Sequence, residues 1–147
     1  MAIRVLVADD QAMIRGALAG LLDLESDIEV VAQASDGARA LEELARLASA
    51  GGPARASAPV DVAIIDVEMP HMDGITATQA ICSRFPGVRV LIVTTFGRPG
   101  YLQRALDAGA MGFMVKDAPV EALADGVRTV AAGGRAIDQS LALEALS

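Results

Sequence analysis

Tryptophan is missing from this sequence, tyrosine occurs once and phenylalanine three times, so aromatics make up 3% of the 147 residues. That excludes the stacking platforms on which single-stranded nucleic acids are held. Cysteine also occurs once, at Cys82. No internal disulfide can form, and the thiol reads as a small packing residue of a chain kept in a reducing, cytoplasmic compartment. Basic residues number 12 against 19 acidic ones, for a net charge of −7. A chain this acidic is repelled by a phosphate backbone unless its cations cluster, and these are scattered, so it is not expected to grip DNA or RNA by itself. No apolar run reaches the ~18 residues of a membrane span. The opening MAIRVLVADD runs into acid too soon for a signal peptide. No membrane partner is expected.

What is present is apolar: 53% of the residues are hydrophobic, enough for the core of one ordinary domain. Short buried runs alternate with helical patterns. Residues 4–8 read as a strand. Residues 11–22 read as a helix, with Met13, Ile14, Ala17, Leu18, Leu21 and Leu22 at helical spacing. A second strand follows at 28–32, and the Ser35-Asp36-Gly37 turn starts a helix near Ala38. Residues 49–59, SAGGPARASAP, read as a flexible surface loop, longer than the usual connection of about 4–6 residues. Val62 to Ile65 is a third strand. A helix over 75–85 is closed by Pro86-Gly87, and residues 88–93 form a fourth strand. Pro99 opens a helix that runs to Gly109, and residues 112–115 form a fifth strand. Asp117 reads as the N-cap of a last helix that has Pro119 early and is closed by Gly133-Gly134. The tail, 135–147, is again helix-prone. Strands that alternate with helices in this way form parallel βαβ units with right-handed crossovers. The fold class is therefore doubly wound α/β, with five strands in the template order 2-1-3-4-5.

The strand ends carry the chemistry. The first is followed by Asp9-Asp10, the third ends in Asp66, the fourth in Thr94-Thr95 and the fifth in Lys116. Singly these are ordinary: an Asp pair caps helices and a Thr pair suits strands. In a parallel sheet they share one edge, the edge at which such sheets bind ligands. Three carboxylates against one ammonium call for a further cation. An all-oxygen donor set suits Mg²⁺, which keeps its waters and shares a phosphate. A carboxylate beside Mg²⁺ and a lysine is a nucleophile toward phosphorus, giving an acyl phosphate. His71, the one histidine, lies in the turn after Pro70 with nothing to pair it to this chemistry.

Asp9-Asp10, Asp66 with Met69-Pro70 and Asp73-Gly74, Thr94-Thr95 and Lys116 resemble, over nearly the whole chain, the motif set of bacterial two-component response-regulator receiver domains. Thr94-Thr95-Phe96 with Gly112-Phe113-Met114-Val115-Lys116-Asp117 is similar to the NarL/LuxR-type branch. The run from Asp66 to Pro70, with Arg98-Pro99-Gly100-Tyr101, is similar to the subset paired with membrane-lipid-sensing histidine kinases. The resemblance implies a flavodoxin-like (βα)5 fold and a phosphoacceptor, Asp66, charged by a sensor histidine kinase. It implies Mg²⁺ held by Asp10, Asp66 and the Glu68 main-chain carbonyl, with Asp9 acting through water. Lys116 would pair with the phosphoryl group, Thr94 and Thr95 would line its site, and Phe113 would change rotamer in step with Thr94. It implies a homodimer linked to phosphorylation, formed either through the face of helix four, strand five and helix five that reads out the switch or through helices one and five, where Met13, Ala17, Leu18, Val127 and Val130 are candidates for an apolar patch. The chain would not be an enzyme acting in trans, assisting only its own phosphorylation and dephosphorylation.

The sequence departs from the family pattern at two positions. Asp117 stands where receivers often carry proline after the lysine. Glu68 puts a carboxylate two residues after the acceptor, where its charge would alter how water reaches a phosphoryl group. Residues 1–134 read as the receiver, and 135–147 as the start of a linker to a helix-turn-helix output domain absent from this chain, through which alone DNA would be bound. Two other readings of the residues stand beside this one: a Mg²⁺-dependent aspartyl-phosphate phosphatase with Glu68 as general acid, and a receiver-like binding module that works without phosphorylation.

Overall fold

The computed structural model describes residues 2–95 and 100–138. Among these, the elements in chain order are β1 (Ile3–Ala8), α1 (Ala12–Asp23), β2 (Ile28–Ala34), α2 (Gly37–Ala50), β3 (Val62–Asp66), α3 (Gly74–Arg84), β4 (Arg89–Thr94), α4 (Tyr101–Ala108), β5 (Gly112–Val115), α5 (Val120–Ala131) and β6 (Ala136–Ile137). The strands pair in parallel in the order β2-β1-β3-β4-β5-β6. The first five thus stand in the expected order.

The apolar runs are continuous because both faces of the sheet are covered. Along β1, Val5 and Val7 enter one core layer with Leu22 of α1 and Leu123, Val127 and Val130 of α5. Leu6 and Ala8 enter the other, with Leu41 and Leu44 of α2, Ile81 of α3 and Ala105 of α4. β3 alternates in the same way through Val62 and Ile64 against Ala63 and Ile65, and β5 through Met114 against Phe113. Two helix starts carry side-chain caps. Asp36 Oδ1 accepts the Arg39 N–H at 2.9 Å at the head of α2. Asp73 Oδ1 accepts the Thr76 N–H at 2.8 Å at the head of α3.

Several expectations need correction. Pro119, with φ −57°, stands at the N-cap of α5 in place of Asp117, and its carbonyl accepts the Ala122 and Leu123 N–H groups. Its ring presets the backbone for the first turn. Every described peptide bond is trans, that between Lys116 and Asp117 included. Residues 49–59 lie largely at the surface, as expected, but they carry local structure. α2 runs through Ala50, a 3₁₀ turn spans Pro53–Arg55, and Ser57 O accepts the Gly87 N–H at 2.8 Å. Gly87 fits there because it has no side chain: a Cβ would come within 2.6 Å of the Ala58 Cβ. These ties are mostly backbone bonds, which leave no apolar signature in the sequence.

The helix-prone tail instead begins with β6. Ala136 N–H donates to Met111 O at 3.1 Å and Asp138 N–H to Phe113 O at 2.9 Å. The open edge of β5 supplies partners that two residues are enough to reach. Residues 139–147 lie outside the described part, as do Phe96, Arg98 and Pro99.

The stripe on α1 divides. Ala19 and Leu22 are buried, while Met13 is 88%, Leu24 79%, Leu21 44% and Ile14 37% exposed. Val127 and Val130, expected to widen that surface, are fully buried, because α5 turns its 123, 127 and 130 positions onto the sheet. No described helix is long and apolar enough to cross a membrane.

Candidate functional site

The C-terminal strand ends converge as the topology requires. Asp66 is the last residue of β3, Thr94 the last of β4, Asp9 follows β1 directly and Lys116 follows β5. Asp9, Asp66 and Thr94 are buried, at 1%, 5% and 3% exposure. Asp10, Thr95 and Glu68 are exposed. Lys116 Nζ lies 2.7 Å from Asp9 Oδ2 and 3.1 Å from Asp66 Oδ2. Its backbone N–H donates to Thr94 O at 2.8 Å, which extends the β4–β5 pairing into the site. Asp10, Gln11, Asp66, Glu68, Thr94, Thr95 and Lys116 line a cleft of about 210 Å³.

Asp9 stands behind this cleft rather than in its wall. Its Oδ1 accepts the Gln11 N–H at 2.9 Å, its Oδ2 faces Lys116, and its carbonyl accepts from Arg15 Nη1 at 2.7 Å. Asp10 and Asp66 are the carboxylates of that trio that open into the cleft. Phe113 is fully buried in the layer that holds Ala105 and Ala108 of α4.

Burial raises the Asp66 carboxyl above the ordinary carboxylate range. The Asp9 and Asp10 charges push the same way, and Lys116 opposes them without prevailing. For Lys116, burial works to lower the ammonium, but its bonds to Asp9 and Asp66 together raise it. The two shifts fit once the sharing is counted. One ammonium serves two buried carboxylates and sits closer to Asp9, so Asp66 is left partly uncompensated. A second cation is favoured there. One oxygen each from Asp9, Asp10 and Asp66 can be chosen so that all lie within 4.8 Å of one another. An all-oxygen set of this size fits Mg²⁺ completed by waters and a phosphate oxygen.

The loop after β3 is built to present Asp66. The Gly74 N–H folds back onto Val67 O at 2.8 Å. A Cβ on Gly74 would run into the Asp66 carbonyl oxygen, so only glycine lets α3 start this close to the strand. His71 sits in this loop with φ 68° and is exposed. Cys82, half-buried on α3 with its thiol 3.7 Å from Gly109 O, packs against α4 as a small residue does. The residue that sequence reasoning missed is Arg15. The spacing of a side chain that reaches back six positions to a carbonyl leaves no pattern to read.

The family model for the response regulator receiver domain matches residues 5–128. The transcriptional regulatory protein DesR of Bacillus subtilis is 39% identical over 133 residues, covering 90% of this chain and 60% of that protein. The oxygen regulatory protein NreC of Staphylococcus epidermidis is 34% identical over 139 residues, covering 94% and 59%. The chain therefore spans about 60% of the length of these relatives. Among solved structures, a LuxR-family two-component response regulator from Aurantimonas superposes with a TM-score of 0.84 at 26% identity, over 99% of this chain and 96% of that one. A LuxR-family DNA-binding response regulator from Staphylococcus aureus does so with 0.76 at 29% identity, over 88% and 98%. With its strand order, its acidic trio and its lysine accounted for, the chain belongs to the receiver domains of the response-regulator family, in the NarL/LuxR branch.

Proposed function

We propose that Asp66 is the phosphoacceptor and that a sensor histidine kinase is the donor. The observation that carries this is the half-compensated carboxylate: Asp66 is buried, opens into the cleft, and shares Lys116 with Asp9. An Asp66 carboxylate oxygen attacks the phosphorus of the kinase's phosphohistidine. The P–N bond breaks, and a phosphohistidine ring already protonated on its other nitrogen leaves with that electron pair as neutral imidazole. Asp10 and Asp66, with the main-chain carbonyl of Glu68, would hold Mg²⁺, and Asp9 would act on it through water. When bound, the cation neutralises charge on the carboxylates and on the phosphoryl oxygens. Lys116 moves from Asp66 to the new phosphate while Asp9 keeps its other side. Thr94 donates its hydroxyl to a phosphate oxygen, Thr95 lines the mouth, and Glu68 sets how water approaches.

The acyl phosphate adds negative charge and acceptor oxygens. Thr94 ends β4 and Lys116 follows β5, whose Phe113 shares a core layer with Ala105 and Ala108 of α4, so a pull on either is passed along its strand to α4. The output is a homodimer. The exposed Met13, Ile14, Leu21 and Leu24 support α1 as part of the face that meets the second copy. In the full-length protein the dimer would place a C-terminal helix-turn-helix on DNA, joined through residues beyond Asp138.

The experiment is to incubate the chain with Mg²⁺ and acetyl phosphate and record intact mass. A phosphate-mass adduct that Asp66→Asn lacks supports the reading. Continuous phosphate release without an adduct marks a phosphatase, and neither adduct nor release marks a binding module.

A further inference from the structure

Arg15 sits near the start of α1, half-buried, and its Nη1 donates to the Asp9 carbonyl at 2.7 Å. β1 ends at Ala8, so this carbonyl lies beyond the strand and needs a donor from elsewhere. The rest of Asp9 is equally committed. Its N–H donates to Ala34 O at 3.0 Å, its Oδ1 accepts from the Gln11 N–H and its Oδ2 meets Lys116. Asp10 differs. It is exposed, and among the described residues its carboxylate makes no hydrogen bond or ion pair. What directs it into the cleft is the backbone before it, the very peptide whose oxygen Arg15 holds.

We infer that Arg15 is a positioning residue of the cation site: by clamping the Asp9 carbonyl it fixes the 9–10 peptide and so aims the Asp10 carboxylate. The inference rests on the cation site described under the proposed function. Arg15 has a second, opposing effect, since a guanidinium beside an acidic cleft repels an incoming cation. The two effects have opposite signs, which makes the choice between them measurable. Positioning groups behind metal ligands are worth about 10–100-fold in affinity, and the positioning effect is the larger here because Asp10 has no other tether.

The test is a Mn²⁺ titration of the full chain, with free Mn²⁺ followed by electron paramagnetic resonance. Arg15→Met is expected to raise the dissociation constant about tenfold. Arg15→Gln, which keeps an N–H donor without the charge, is expected to recover most of that loss. Unchanged or tighter binding in Arg15→Met overturns the inference, as does Arg15→Gln binding no more tightly than Arg15→Met; Arg15→Ala gives the same comparison where Arg15→Met does not fold. If the wild-type chain shows no saturable binding that Asp10→Asn removes, the cation site itself fails, a result visible before any Arg15 variant is made.

Discussion

At Asp66 the fold holds a carboxyl above its ordinary range by burial, with only part of Lys116 to offset it. Its folded pKa exceeds its unfolded one. Its contribution to stability is therefore complete below the unfolded value and lost as pH rises through the folded value. In chelator at neutral pH the raised Asp66 carboxyl therefore costs folding free energy. Asp66→Asn should raise the thermal midpoint there by a few degrees, and the gap to wild type should close as acid protonates Asp66 itself. Melts at a series of pH values decide it, and an equal or lower midpoint at neutral pH would count against the account. Lys116→Met should act the other way. It strands two carboxylates that are 1% and 5% exposed, and breaking a buried pair on one side costs about 3–5 kcal/mol, readable as a lower urea midpoint. These residues were legible in the sequence because each interrupts or ends an apolar run. Their pairing was not: nothing in the order of residues says that Lys116 rests on Asp9 more closely than on Asp66.

Among the elements, α5 is tied to the turn before β2 by one residue. Arg128 reaches Asp27 through Nε at 2.8 Å and Nη2 at 2.9 Å, Glu25 at 3.0 Å and Asp125 at 2.9 Å. The Arg128 bond holds Asp27 below its ordinary range. That contribution is present above the unfolded carboxylate pKa and is lost as pH falls through the depressed folded value. Arg128→Gln should lower the thermal midpoint near neutral pH, less so in high salt, and the difference should vanish in acid. A salt-independent loss would place the effect in packing instead. β5 was readable to the residue, because Gly112 and Lys116 bracket its apolar run. The direction faced by α1 was not. Periodicity shows that a helix has an apolar stripe, but not whether the chain itself covers it, and Met13 and Leu24 are largely uncovered. β6 escaped notice because two residues carry no period.

For the molecule as a whole, the uncovered side of α1 is the part with no partner among the described residues. Met13→Glu with Leu24→Glu should leave phosphoryl uptake intact and abolish the dimer, measured by light scattering after acetyl phosphate treatment. A dimer that survives would move the face elsewhere. The net charge of −7 adds that this chain, phosphorylated or not, should leave DNA unshifted in a gel at physiological salt. The closeness of Gly74 to the Asp66 carbonyl has its own result, in mutational tolerance. If every codon at position 74 were offered and phosphoryl uptake selected, the surviving library should collapse to glycine. Randomising position 73 instead should return a small group of residues, the Asp, Asn, Ser and Thr able to cap α3.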